Sequence, residues 1–147
     1  MREIKFRAWN KEKKQMTPSF NLWSLTEDEN FNLCLDGYGI LYPSRVILMQ
    51  FTGLHDKNGK EIYEGDIVRI ITAVNEYYDE EGDLIEDENE KIAFISFDDG
   101  TFVAENSSGE ICQWDDGTHD WYSLENAIIL EVIGNIYENP ELLKEMK

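Results

Sequence analysis

Two histidines lie beside carboxylates: His55 precedes Asp56, and His119 sits among Asp115, Asp116 and Asp120. Imidazole next to carboxylate is the raw material of a zinc or iron site, or of a general base held by an acid. A metal site needs three or four convergent ligands. Two histidines in separate loops supply one each, and solvated loops account for them more simply. Nucleophilic catalysis asks for Ser, Cys or Thr beside a base that a third group orients. Cys34 and Cys112 are the only thiols, and neither belongs to a Cys-x-x-Cys pair. No local signature joins either to His55 or His119, so both read as small packing residues in a reducing compartment. Gly53, Gly59, Gly65 and Gly134 form neither a Gly-x-Gly-x-x-Gly nor a P-loop pattern. They read as backbone positions, in turns or a bulge, that need positive φ.

The densest cluster of titratable groups is acidic. Asn75 to Lys91 holds nine acids and one base. Its centre, Asp79-Glu80-Glu81-Gly82-Asp83, lacks the alternating ligand spacing of an EF-hand calcium loop. Tyr77/Tyr78 and Leu84/Ile85 flank Gly82, a pattern that suits a projecting hairpin or a mobile loop. The residues therefore imply no catalytic centre, no cofactor and no metal. They offer a protein-interaction surface at Tyr77, Tyr78, Asp79, Glu80, Glu81, Asp83, Glu86, Asp87 and Glu88. Trp23, Trp114, Trp121 and Tyr122 are further aromatic candidates for a surface, although a core also needs aromatics. The alternative is a cleft for a small ligand or a substrate near His119, Asp116 and Trp121.

The whole chain carries 31 acids against 13 bases, a net charge of −18 over 147 residues. Such a surface repels nucleic acid at long range and disfavours anionic membranes. The charge suits solubility or a basic protein partner. No apolar run approaches the roughly 20 residues that span a bilayer, and the start lacks the apolar centre of a signal peptide. These points lead to an expectation of a cytoplasmic protein. Apolar residues make up 41% of the chain, enough for a single folded domain with a core.

Short strands separated by turn signals must position these groups. Residues 2–9 alternate charged and apolar side chains and read as a half-buried strand closed by Trp9. Residues 17–45 suggest short strands or irregular structure. Val46–Phe51 is an apolar run, Asn58-Gly59 a tight-turn signal, and Ile67–Ile71 a β-branched central strand. Lys91–Phe97 and Phe102–Ala104 flank an Asp99-Gly100 hairpin turn. Ile111–Trp114 reads as a further strand, Asp115–Asp120 as a loop, and 127–137 as the last strand with a bulge at Gly134. Asn139 and Pro140 signal the N-cap and first turn of a short helix over 139–147 that needs Leu142, Leu143 or Met146 packed. Together these imply a mainly β fold, a small barrel or roll over 46–137, with residues 1–45 as a β extension.

Four stretches taken in order resemble the YopX family, small proteins encoded by phages and prophages. They are Arg2–Trp9, Met49–Leu54, Asp56–Val68 and Val132–Leu143. The resemblance implies a mainly β fold with an SH3-like barrel and assembly into homo-oligomers. It implies no activity. The combined expectation is a phage- or prophage-encoded, non-enzymatic acidic module in the host bacterial cytoplasm. It would self-assemble and bind a basic host or phage protein, in a sharper version by mimicking nucleic acid.

Overall fold

The computed structural model describes residues 3–106 and 129–145, with backbone alone at 72–76, 86–89, 129 and 145. The fold is mainly β, 54% strand and 7% helix, with curled sheets and a short C-terminal helix. Two compact units, Met1–Gly53 and Leu54–Lys147, divide the chain.

In the first unit, β1 (Phe6–Asn10) pairs antiparallel with β2 (Gln15–Met16) and with β6 (Val46–His55), whose last two residues continue into the second unit. Trp9 lies within β1 rather than closing it, because it has partners on both sides, Met16 and Ile47. Asn10 Oδ1 accepts the N–H groups of Glu12 (3.0 Å) and Lys13 (2.8 Å) and so shapes the β1–β2 turn. Thr17 prolongs the pairing by side chain: its Oγ1 accepts the buried Ala8 N–H at 2.9 Å. Ala8, Phe20 and Leu35 form the core, with half-buried Phe6, Leu25, Tyr38, Leu41 and Val46 around them. A small sheet runs in the order β3 (Leu25–Glu27), β4 (Leu33–Leu35), β5 (Gly39–Ile40). The residues between 17 and 45 are thus short strands and a 3₁₀ turn at Leu22–Ser24. Cys34 is half-buried in β4.

In the second unit, β7 (Glu61–Tyr63) precedes an antiparallel sheet. That sheet is ordered β10 (Thr101–Glu105), β9 (Leu84–Asp98), β8 (Asp66–Tyr78), β11 (Ile129–Asn135). Val68, Ile70, Ala93, Ile95, Phe102, Ala104 and Leu130 form the core on one face, joined by Ile62. Ile67, on the opposite face of β8, is also fully buried. Burial on both sides is what a continuous β-branched run requires of a central strand. Asp99 (φ +46°) and Gly100 (φ +81°) make the β9–β10 turn, as the Asp-Gly pair implies.

Three loops share one construction that the Asn58-Gly59 pair alone does not suggest. In Asp28–Asn32, Asp56–Lys60 and Asp79–Asp83, the aspartate N–H donates to the carbonyl four residues on. The aspartate carbonyl accepts the N–H three residues on. Its Oδ1 accepts the N–H groups two and four residues on. The fourth residue of each loop is left-handed: Gly59 (+81°), Gly82 (+87°) and, in the first loop, Phe31 (+62°). Only the first loop puts a bulky side chain there, and Phe31 is 83% exposed, so little burial offsets the strain. Phe31→Gly is expected to stabilise the protein by about 0.5–1 kcal/mol, since relief of the left-handed strain exceeds glycine's entropic cost. A raised urea midpoint at unchanged slope is the expected reading, and a lowered midpoint contradicts it.

β11 carries a bulge between Val132 (opposite Val68) and Gly134 (opposite Ile67). The bulge lies where expected, but Gly134 is not left-handed. Its reason is space: a Cβ there would lie 2.6 Å from Asn139 Oδ1. That oxygen accepts the Asn135 N–H at 3.2 Å, while Asn139 N–H returns to the Asn135 carbonyl at 2.9 Å. Asn139 precedes the helix as expected, with its side chain directed back to β11. Pro140–Glu145 is a 3₁₀ helix with Leu142 and Leu143 half-buried. Met146 lies outside the described residues.

Candidate interaction surface

The acidic segment 75–91 is a β-hairpin, the first of the two forms its composition allows. β8 and β9 pair from Ile67–Phe94 outward to Tyr78–Leu84. The described part of β11 pairs with β8 as far as Ile71, and a register shift in β8–β9 between Ile71 and Val74 marks a bulge at that point. Among the described residues, no third strand pairs with β8 or β9 beyond that point. The end is closed by the Asp79–Asp83 loop, in which Asp79 Oδ1 holds the N–H groups of Glu81 and Asp83, each at 2.9 Å.

Large apolar side chains crowd this end. Tyr77 is 51% exposed, Tyr78 73% and Leu84 49%. Tyr78 and Leu84 are direct register partners and so share one face; Tyr77 and Ile85 share the other. Glu80, Glu81 and Asp83 are exposed around them, and Asp79 is half-exposed. Glu86, Asp87 and Glu88 lie on the backbone of β9 opposite Glu76, Asn75 and Val74. The arrangement offers aromatic contact area beside the exposed carboxylates of Glu80, Glu81 and Asp83.

Charge is divided unevenly between the units. Residues 1–53 hold seven bases and six acids, while residues 54–147 hold six bases and 25 acids. Two of those six bases are drawn into a ladder across the sheet. Arg69 Nε stands 2.7 Å from Glu90, as an ion pair not aligned for a hydrogen bond. Its other nitrogen bonds Glu131 at 3.2 Å, and Lys57 reaches the same Glu131 oxygen at 3.3 Å. The first unit is close to neutral, with Lys11, Lys13 and Lys14 exposed on one turn.

The other candidates are not brought together. His55 is exposed at the end of β6. Its neighbour Asp56 is buried and its carboxylate is engaged elsewhere: Oδ1 accepts Asn58 N–H (2.8 Å) and Lys60 N–H (2.9 Å), and Oδ2 accepts Val132 N–H (3.0 Å). Burial pushes its pKa up, but the bonds from Val132, Lys60 and Asn58 and the Lys60 charge outweigh that and hold the carboxyl below its ordinary value. Among the described residues, no group of three His, Cys, Asp or Glu side chains could hold a metal ion. No described helix is long and apolar enough to cross a membrane. Cys112, Trp114, Asp115, Asp116, His119, Asp120, Trp121 and Tyr122, hence the proposed cleft, lie outside the described residues. Trp23 is 93% exposed in the first unit.

A family model described as YopX protein matches residues 5–144, nearly the whole chain. The chain belongs to the YopX family. Among solved structures, this YopX-family chain is similar to protein EF1440 from Enterococcus faecalis, at 28% identity and a TM-score of 0.54. That match covers 97% of this chain and 99% of the other. No curated protein matches the chain. The matched region includes every strand described above, the hairpin among them, and all but the last residue of the C-terminal helix, and the family description assigns no activity to any of them.

The residues that composition did not single out are the structural aspartates. Asp56 and Asp66 (1% exposed) act on backbone N–H groups, Asp66 on Tyr63 at 2.8 Å. The signal available for Asp56 is the recurring Asp-x-x-Gly spacing at Asp56–Gly59 and Asp79–Gly82. Asp28 repeats the geometry, with a carboxyl held below its ordinary value first by the Asn32 side-chain amide (3.0 Å), then by the Asn32 and Asn30 N–H groups, against burial.

Proposed function

We propose that the chain is a non-catalytic, phage- or prophage-encoded interaction module. It self-assembles and docks through the β8–β9 hairpin on a basic protein surface of its host or phage. The observation that supports this most is the pair Tyr77 and Tyr78, 51% and 73% exposed at the end of a hairpin whose sequence is dominated by acids. Amphipathic aromatics give contact area at small entropic cost, and surrounding carboxylates steer a basic partner into place. A partner normally bound to phosphates is a natural target, because carboxylates set along two strands can occupy its anion-binding face.

The test uses a shortened hairpin. Val74 and Glu88 are register partners, so replacing residues 75–87 by Asn-Gly keeps the strands paired and spares Glu90 for Arg69. The variant loses seven acids and no base. The full chain, tagged, is expected to capture a partner from host lysate at about 0.1 M salt, to release it at about 1 M salt, and to lose it in the variant. Release by added duplex DNA supports the mimicry. Equal capture by both forms overturns the reading.

A further inference from the structure

The first unit carries an apolar groove of about 340 Å³. Leu22, Leu25, Leu33, Leu41, Pro43 and Leu48 are among its walls, and no polar or charged residue lines it. Three of the leucines are well exposed: Leu22 60%, Leu33 46% and Leu48 49%. Contiguous exposed leucines of this kind mark a contact surface more often than bare solvent-facing structure. The groove shares Leu41 and Val46 with a second hollow of about 240 Å³, lined by Asn10, Lys13, Gln15 and Thr17. Lys13 belongs to the exposed run Lys11–Lys14, and Lys11 N–H bonds the carbonyl of Arg45, the residue before Val46. An apolar slot therefore opens beside a basic turn. A fitting occupant has large apolar side chains next to several carboxylates.

The chain itself contains a segment of that description. At the hairpin end, Tyr78 and Leu84 share a face, directly beside Glu80, Glu81 and Asp83. The complementarity is local: the hairpin belongs to a unit with 25 acids against six bases, and the groove adjoins a turn that exposes Lys11, Lys13 and Lys14. We propose that the leucine groove of residues 1–53 receives the hairpin end of a second copy of this chain. Tyr78 and Leu84 enter the groove, and the loop carboxylates lie over Lys11 and Lys13. The proposal rests on the reading of the hairpin as an interaction surface and names its basic partner. The two patches differ, so the contact is head-to-tail and propagates into a ring or a chain of copies.

The test is a charge swap read by sedimentation velocity across the micromolar range. E80K/E81K alone and K11E/K13E alone are each expected to weaken assembly about tenfold or more. All four positions are exposed, so circular dichroism should show both variants folded. Mixing the two variants restores opposite charges at every junction and is expected to restore assembly in alternation. A benzophenone side chain in place of Tyr78 should crosslink to residues 22–48 of a differently labelled copy. A wild-type chain that stays monomeric overturns the proposal, as does a crosslink confined within one chain. Assembly lost in E80K/E81K but unchanged in K11E/K13E overturns it too, while leaving the hairpin standing as an interaction surface. Assembly unchanged in both variants likewise overturns it, and lysate capture that still depends on the hairpin then leaves the interaction-surface reading standing.

Discussion

Asp56→Ala is expected to cost about 2–4 kcal/mol of stability, because one carboxylate serves three backbone N–H groups. Two of them belong to its own loop, and exposed Asn58 and Lys60 can recruit water after the substitution. The third does not: Val132 N–H comes from β11, 76 residues away in sequence, at the strand's bulge. Losing that bond removes one tie between the middle of β11 and the β6–β7 loop. Lys57 N–H also donates to Leu130 in the same strand at 2.9 Å, so the loop and β11 are tied at two points and the substitution cuts one. At about 2–4 °C per kcal/mol for a chain of this length, the melting temperature should fall by about 5–15 °C.

The same bonds predict an acid dependence. The folded-state pKa of Asp56 is lowered, whereas the unfolded chain has an ordinary aspartate near 3.9. The unfolded state then binds the proton first, so the contribution is fully present above about pH 5 and is lost as pH falls through the depressed value. Many other carboxylates titrate in that range, so the quantity to read is the stability difference between wild type and Asp56→Ala at each pH. That difference should shrink on acidification. A difference that stays constant from neutral pH to well below 3.9 would sink the assignment of the charge as the working species. Asp56→Asn should recover part of the loop bonding and lack the acid-dependent part.

Gly134→Ala is expected to cost about 1–3 kcal/mol, through overpacking and not through backbone conformation. The added Cβ would meet Asn139 Oδ1 at 2.6 Å, Cγ at 2.9 Å and Cβ at 3.0 Å. The Asn139 side chain cannot swing away without releasing the Asn135 N–H, and Asn135 organises the next turn. Its Oδ1 accepts the N–H groups of Tyr137 (3.1 Å) and Glu138 (2.8 Å). Ile136 N–H bonds Gly65, whose own N–H bonds Ile95 in β9, so the disturbance reaches the loop before β8. In an Asn139→Gly background the obstructing side chain is absent, and Gly134→Ala should then cost far less than in the wild type. Such non-additivity is the signature of direct contact, and equal costs in the two backgrounds would refute the steric account.

How far these sites can be read from sequence differs by site. The β9–β10 turn is legible because Asp99-Gly100 satisfies its own φ requirements locally. The centrality of β8 is legible because Ile67, Val68 and Ile70 leave no solvent-tolerant face. Gly134 is only half legible. Its bulge follows from a glycine in a strand, but its reason is Asn139, a steric partner that exists once the chain turns back at Asn135. Asp56 shows the same divide. The loop it caps is local, while the bond to Val132 depends on where β11 lands.

Sequence alone determined the class of this protein. Alternation, glycine turns and four ordered stretches mark a mainly β chain of the YopX family, with a strong excess of acids. These are properties of residue type and near-neighbour spacing, which the chain carries before it folds. Tertiary structure decided where the charge and the exposed apolar groups stand. It places Tyr78 beside Leu84 at the end of the β8–β9 hairpin, commits the Asp56 carboxylate to backbone N–H groups, and gathers leucines from residues 22–48 into one groove. Those outcomes depend on register and on contacts between distant strands. A shift of one residue along β8 or β9, for example, would turn Tyr78 or Leu84 to the other face.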